Sequence, residues 1–158
     1  MSPSLAAEIL TWAHESEKPV YKATLKTVAD ARRVRPVFME RQPRVQRHTS
    51  MVATLSKPSM ELAASTLLRT WLLKGQKLLL IDFLDALGIE HEDGIVDDLP
   101  TTMDEAKLKE AVDAMLAKYS NEMVAVYLNA FNGMNETDWP ALRTMLETDE
   151  RLQLGATA

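Results

Sequence analysis

Apolar side chains return every three or four positions along most of the chain, the spacing that places them on one face of an α-helix. The first stripe is Leu5, Ile9, Leu10 and Ala13, with Trp12 beside it. It follows Ser2-Pro3, a capping serine and a proline in the first turn, where its missing N–H is harmless. A second stripe, Tyr21, Leu25, Val28 and Ala29, predicts a helix from about Pro19 to Val34. Pro36 disfavours helical geometry at Arg35 and sets its end. Residues 35 to 47 have no sustained period: Val37, Phe38 and Met39 are apolar, but Pro43 interrupts them. The expectation there is a corner, then a helix from about Pro43 to Leu55 with Val45, Val52 and Leu55 inward. The clearest stripe follows, with Met60, Ala63, Ala64, Leu67, Leu68, Trp71 and Leu72 in three-four alternation.

Lys74-Gly75 predicts a break, after which Leu79, Leu80, Phe83, Leu84 and Leu87 define another helix. Gly88 suits a left-handed terminating residue, and Ile89 suits the apolar contact that accompanies one. An acidic loop spans Glu90 to Pro100, and Thr102-Met103-Asp104-Glu105 reads as a capping box. The helix it opens carries Leu108, Val112, Met115, Leu116 and Tyr119 inward. Ser120 or Asn121 caps the next, with Met123 or Val124, Tyr127, Leu128 and Phe131 inward and an end near Gly133. A short last helix begins between Asp138 and Pro140 and turns Trp139, Leu142 and Leu146 inward, and the tail beyond Arg151 is expected to fray. Strand-like alternation persists nowhere, and Ile95-Val96 is too brief to build a sheet. The expected fold is all-α, a compact bundle of six to seven helices joined by short Pro/Gly corners, in one helical domain over residues 1 to 158.

Composition narrows this reading. Apolar residues at 46% and charged residues at 26% match an ordinary globular domain, and 158 residues suffice for one core without staples. The absence of cysteine removes disulfides, a thiol nucleophile and cysteine-based zinc or iron–sulfur sites, and it suits a cytoplasmic setting. No secretory leader is expected at Met1-Ser2-Pro3-Ser4, and the apolar run Leu78 to Ile81 is far too short for a membrane span. That run covers every side of a helix, which suggests a central position or burial by a second subunit, most simply in a homodimer. The net charge of −5 conceals an asymmetry: residues 1 to 58 carry +5 and residues 59 to 158 carry −10.

The sharpest candidate for chemistry is the cluster Arg32, Arg33, Arg35, Arg41, Arg44 and Arg47, opposed within its span by Glu40 alone. Arginine's planar fork grips carboxylate or phosphate in two places, so this segment is a candidate anion- or partner-binding site. A nucleic-acid backbone is the alternative ligand, but Pro36 and Pro43 break the continuity that a recognition helix needs. The acidic loop gathers Glu90, His91, Glu92, Asp93, Asp97 and Asp98. Aligning Gly94 with the glycine of a calcium-binding loop puts Ile89 first and Pro100 twelfth, so that motif fails. His91, Glu92 and Asp93 remain weak transition-metal candidates, and a metal-dependent enzyme over 90 to 98 is the second alternative. His14, His48 and His91 lack the paired spacing of a zinc-protease helix and read as surface or boundary residues. Neither a nucleophile elbow nor a phosphate loop is present; Lys74-Gly75-Gln76-Lys77 lacks the upstream glycine. Nine methionines and Trp12, Trp71 and Trp139 read as core filling and anchors. The expected function is that of a non-catalytic helical interaction or regulatory protein, without cofactor, whose partners are a second copy of itself and possible acidic proteins.

Overall fold

The computed structural model describes residues 1 to 154, which are all-α, with nine α-helices and no strand among them. Nine exceed the expected six to seven, and the helix not foreseen is at Pro36, where the corner winds into a turn of its own. Contacts group the chain into two compact units, Ser2–Gly75 and Gln76–Ala158. The division falls at the Lys74-Gly75 break and sharpens the charge asymmetry. The first unit holds twelve Lys and Arg against six Asp and Glu, a net +6, and the second six against seventeen, a net −11.

In the first unit, α1 (Pro3–Ser16) starts as expected, with the Ser2 hydroxyl accepting from the Leu5 N–H. It packs Leu5, Ile9, Leu10 and Ala13 against α2 (Lys18–Ala31) and α4 (Arg44–Leu55). Between them sits α3 (Pro36–Glu40), a single turn that buries Met39 and leaves Phe38 outward.

The register of α4 departs from the expectation. Its buried face is Arg47, His48, Met51 and Thr54, while Val45 is 80% exposed and Val52 and Leu55 are half-buried. An apolar stripe cannot reveal this, because the polar residues go inside only by virtue of partners elsewhere in the fold. The Tyr21 hydroxyl lies 2.9 Å from His48 Nε2, and Thr54 donates to the Ser50 carbonyl. A 3₁₀ turn at Pro58–Met60 leads into α5 (Glu61–Thr70), which widens into a π turn at Trp71–Gly75. Gly75 is required there: a Cβ would stand 2.9 Å from the Trp12 ring and 3.0 Å from Trp71.

The second unit is built around α6 (Lys77–Leu87), α7 (Glu105–Lys118), α8 (Asn121–Met134) and α9 (Pro140–Thr148). Helix α6 buries Leu79, Phe83, Leu84 and Leu87 and ends at left-handed Gly88, with Ile89 folded onto the core as its sequence predicts. The run Leu78 to Ile81 divides: Leu79 is buried, Leu80 and Ile81 are half-buried, and Leu78 is 74% exposed. The start of α7 lies beyond the expected box at Thr102. Asp104 is the cap, accepting from the Lys107 N–H at 3.0 Å, and it serves an exposed N-terminus as well as threonine would. Ser120 caps α8, whose five consecutive residues Val124 to Leu128 are all buried, the mark of a central helix.

The tail does not fray where expected. Glu150–Leu152 forms a 3₁₀ turn, Leu152 is fully buried, and the Asn129 amide donates to its carbonyl at 3.1 Å. Residues 155 to 158 lie outside the described residues. No described helix is long and apolar enough to cross a membrane.

Candidate interaction surface

The arginine cluster of the first unit is gathered at one corner, where α2 ends, α3 makes its turn and α4 begins. Helix α2 closes with the Val34 N–H bonding the Ala29 carbonyl and the Arg33 N–H bonding that of Asp30. This is the six-to-one and five-to-two pattern of a Schellman cap, which puts its penultimate residue in the left-handed region. Glycine ordinarily takes that place, but here Arg33 does, at φ 57°. A side chain there costs about 1 kcal/mol in backbone strain. The arginine is therefore held at a position that stability alone would give to glycine. Replacing Arg33 with glycine is expected to raise the thermal midpoint of the first unit by a few degrees, corresponding to about 0.5–1 kcal/mol, while weakening anion binding. A lowered midpoint would show that the arginine side chain is structural.

Residues three and four apart share a helical face, so the turn at α3 sets its neighbours side by side. Arg35 is its N-cap and Arg41 its C-cap, both flanking Phe38, and Val34 and Val37 continue the apolar strip. Phe38 is 57% exposed, and Val34, Val37, Arg32, Arg33, Arg35, Arg41 and Arg44 are exposed around it. Within this unit Arg44 reaches Glu15 at 3.7 Å, a loose contact in water, whereas Arg32, Arg33, Arg35 and Arg41 have no carboxylate within 4.0 Å.

Arg47 differs from the other five. It is buried, donates Nη1 to the Glu40 carbonyl at 3.0 Å and lies 5.9 Å from the centre of the Tyr21 ring. Its Nε has no partner, nor do Gln42 Oε1 and His14 Nδ1 in the same unit. His48, expected at a surface or boundary, is almost fully buried. Burial, then the charge of Arg47, lower its pKa to about 4, so it is neutral at pH 7. Burial also lowers the pKa of His14, whose ring meets Tyr21 edge-on at 4.9 Å, and raises that of Tyr21. Beneath the arginines the corner thus carries uncharged histidines, and Arg47 remains cationic with no carboxylate opposing it. The buried polar layer was not legible as a site; the one sequence hint was the apolar spacing of α4, which accounts poorly for residues 45 to 55.

The acidic loop of the second unit has a defined shape. Glu92 and Ile95 exchange both backbone hydrogen bonds, at 2.9 and 3.0 Å, around Asp93 and Gly94, whose φ angles of 55° and 88° are those of a type I′ turn. The dipeptide Asp93-Gly94 is a recognised signal for this turn. His91 ties the turn to α6: its Nδ1 accepts from the Gly94 N–H at 3.0 Å and its Nε2 donates to Asp85 at 2.7 Å. Lys77 pairs with Asp93, and a Cβ on Gly94 would press on Leu80 at 3.3 Å. Both ring nitrogens of His91 are therefore engaged. His91, Glu92 and Asp93 are not brought into a ligand set, and no group of three metal-binding side chains occurs among the described residues. The same pinning leaves Ile95 71% exposed, with Glu90, Glu92, Asp97 and Asp98 exposed and without a cation within 4.0 Å in this unit.

One concavity of about 560 Å³ lies between α2 and the Met60 end of α5. Val20, Ala23, Thr24, Met60 and Ala63 line it, and no acid, base or imidazole does, so it offers no groups for acid–base chemistry. Compared with known families, characterised proteins and solved structures, the chain matches none.

Proposed function

We propose that the chain is a non-catalytic helical interaction protein that docks an acidic protein partner on the corner from Arg32 to Arg47, and that it acts as a homo-oligomer. The observation that carries this reading is the group of four unpaired arginines, Arg32, Arg33, Arg35 and Arg41, around exposed Phe38. An exposed aromatic ring rimmed by arginine has the composition of a protein-binding hot spot, with an apolar anchor at the centre and charge at the rim. The same arginines suit a nucleic-acid backbone by their charge. The chain as a whole carries −5 and its second unit −11, however, which repels a polyanion at long range and favours a partner that presents only a local acidic patch.

A fluorescein-labelled peptide carrying one isoleucine among glutamates, with a single-stranded oligonucleotide as comparison, tests the proposal by anisotropy at low salt. The peptide is expected to bind more tightly than the oligonucleotide, and Phe38→Ala and Arg35→Ala/Arg41→Ala are each expected to weaken it about tenfold or more. Stronger binding of the oligonucleotide would replace the protein partner with nucleic acid. Peptide binding indifferent to both variants would remove the corner from consideration.

A further inference from the structure

We propose that the occupant of the basic corner is a second copy of this chain, which presents to it the pinned acidic turn at Glu92 to Ile95. This rests on the reading of the corner as a docking surface for an acidic partner and names that partner.

The two faces match in charge and in form. The corner sets Phe38, Val34 and Val37 within Arg32, Arg33, Arg35 and Arg41, while the turn sets Ile95 beside Glu90, Glu92, Asp97 and Asp98. Each has an exposed apolar centre and a rim mainly of one sign, basic at the corner apart from Glu40 and acidic at the turn apart from Lys77, and the prevailing signs are opposite. The units that bear them carry +6 and −11. Opposed potentials of this kind speed encounter and fix register, and the apolar centres supply the burial that exposed ion pairs lack.

The turn is also built to hold its shape. Ile95 is kept in water by the two hydrogen bonds of His91, the Lys77 contact with Asp93 and the packing of Gly94 on α6. Leu78, next to Lys77 on that helix, is 74% exposed as well. An isoleucine on a free loop could fold back onto apolar surface; one fixed outward is preorganised, so docking orders little new chain. The contact joins the corner of one copy to the turn of the other, and a two-fold dimer that makes it in both directions is isologous.

Sedimentation velocity on the full chain tests this with two variants altered only at exposed positions. One carries Arg35→Ala, Phe38→Ala and Arg41→Ala, and the other Ile95→Ser, Asp97→Asn and Asp98→Asn. At low salt the wild type is expected to exceed one subunit mass as concentration rises and to return toward it as salt screens the rims. Each variant alone is expected to stay at one subunit mass, its self-association weakened about a hundredfold or more. The equimolar mixture, which again contains one intact corner and one intact turn, is expected to form a one-to-one pair. A wild type at one subunit mass at every concentration, either variant associating as the wild type does, or a mixture that stays unpaired would each overturn the proposal. If the acidic peptide still binds a monomeric wild type, the docking surface stands and its occupant is another protein; if the peptide fails too, both readings fall.

Discussion

Replacing Phe83 with alanine is expected to destabilise the second unit by about 3–5 kcal/mol. Phe83 is fully buried on α6, and its ring meets Tyr127 and Phe131 edge-on with centroids 5.4 Å away in each case. Phe131 in turn lies 5.3 Å from Trp139, whose indole N–H is anchored to the Pro100 carbonyl at 2.8 Å. The ring therefore joins α6 to α8 and, through α8, to the start of α9. Its removal forfeits the transfer free energy of a phenyl group, two edge-to-face contacts and the dispersion of a dense interior. The surroundings have little means of closing the gap. Tyr127 is flanked by buried Val124, Ala125, Val126 and Leu128 on a central helix, and its hydroxyl already lacks a hydrogen-bond partner. Because whole domains are stable by only about 5–15 kcal/mol, a loss of this size consumes much of the margin. Urea unfolding followed by Trp139, the one tryptophan in this unit, with Trp12 and Trp71 replaced by phenylalanine, measures the cost. Phe83→Leu, which keeps most of the volume, is expected to lose less than half as much. A cost below about 1 kcal/mol for alanine would mean that the aromatic cluster is loosely packed.

The contrast between Phe83 and His48 shows what was legible in the sequence and what was not. Phe83 lies on an apolar stripe whose period points it inward, and so do Leu10, Val28, Leu67, Leu108 and Leu142; these fall in the core because burial is determined locally, by spacing along a helix. Val45, Val52 and Leu55 have the same composition and yet lie at or near the surface of α4, because Tyr21 on another helix satisfies His48 and makes the opposite face the buried one. That information is tertiary, and no window of sequence holds it. The cap of α7 moved for a milder reason: Thr102 and Asp104 both cap well, and only the path of the preceding loop chooses between them. The arginine cluster was legible as charge. Its sharing of a corner with exposed Phe38 was not, because the single turn at Pro36 is too short to carry a period. The Asp93-Gly94 turn was within reach of the sequence, since that dipeptide favours positive φ at both central positions, but the lack of alternating strands around it masked the signal.

Acidification between pH 6.5 and 4 is expected to destabilise the first unit through His48. In the fold its pKa is lowered from 6.5 to about 4, chiefly by burial and then by Arg47, His14 and Arg44. The groups facing it from the packed elements are Tyr21 on α2 and His14 on α1, and no carboxylate is among the charges acting on it. The unfolded chain takes up the proton first as pH falls, so the unfolded state binds more protons throughout this window and stability decreases. The contribution is fully present above pH 6.5 and is lost progressively toward pH 4. A displacement from 6.5 to about 4 corresponds to about 3 kcal/mol at full effect. His14, whose pKa is also lowered, acts in the same direction. The structural reason is that the protonated ring would stand, buried, beside an Arg47 guanidinium with no anion to offset either charge. Carboxylates elsewhere add their own acid sensitivity as pH nears 4, so the informative quantity is a difference between variants. In His48→Gln the slope of stability against pH between 6.5 and 5, read by hydrogen exchange on peptides of α1, α2 and α4, is expected to fall to less than half that of the wild type. Equal slopes in the two proteins would show that His48 titrates normally, and that the buried face of α4 opens readily to water.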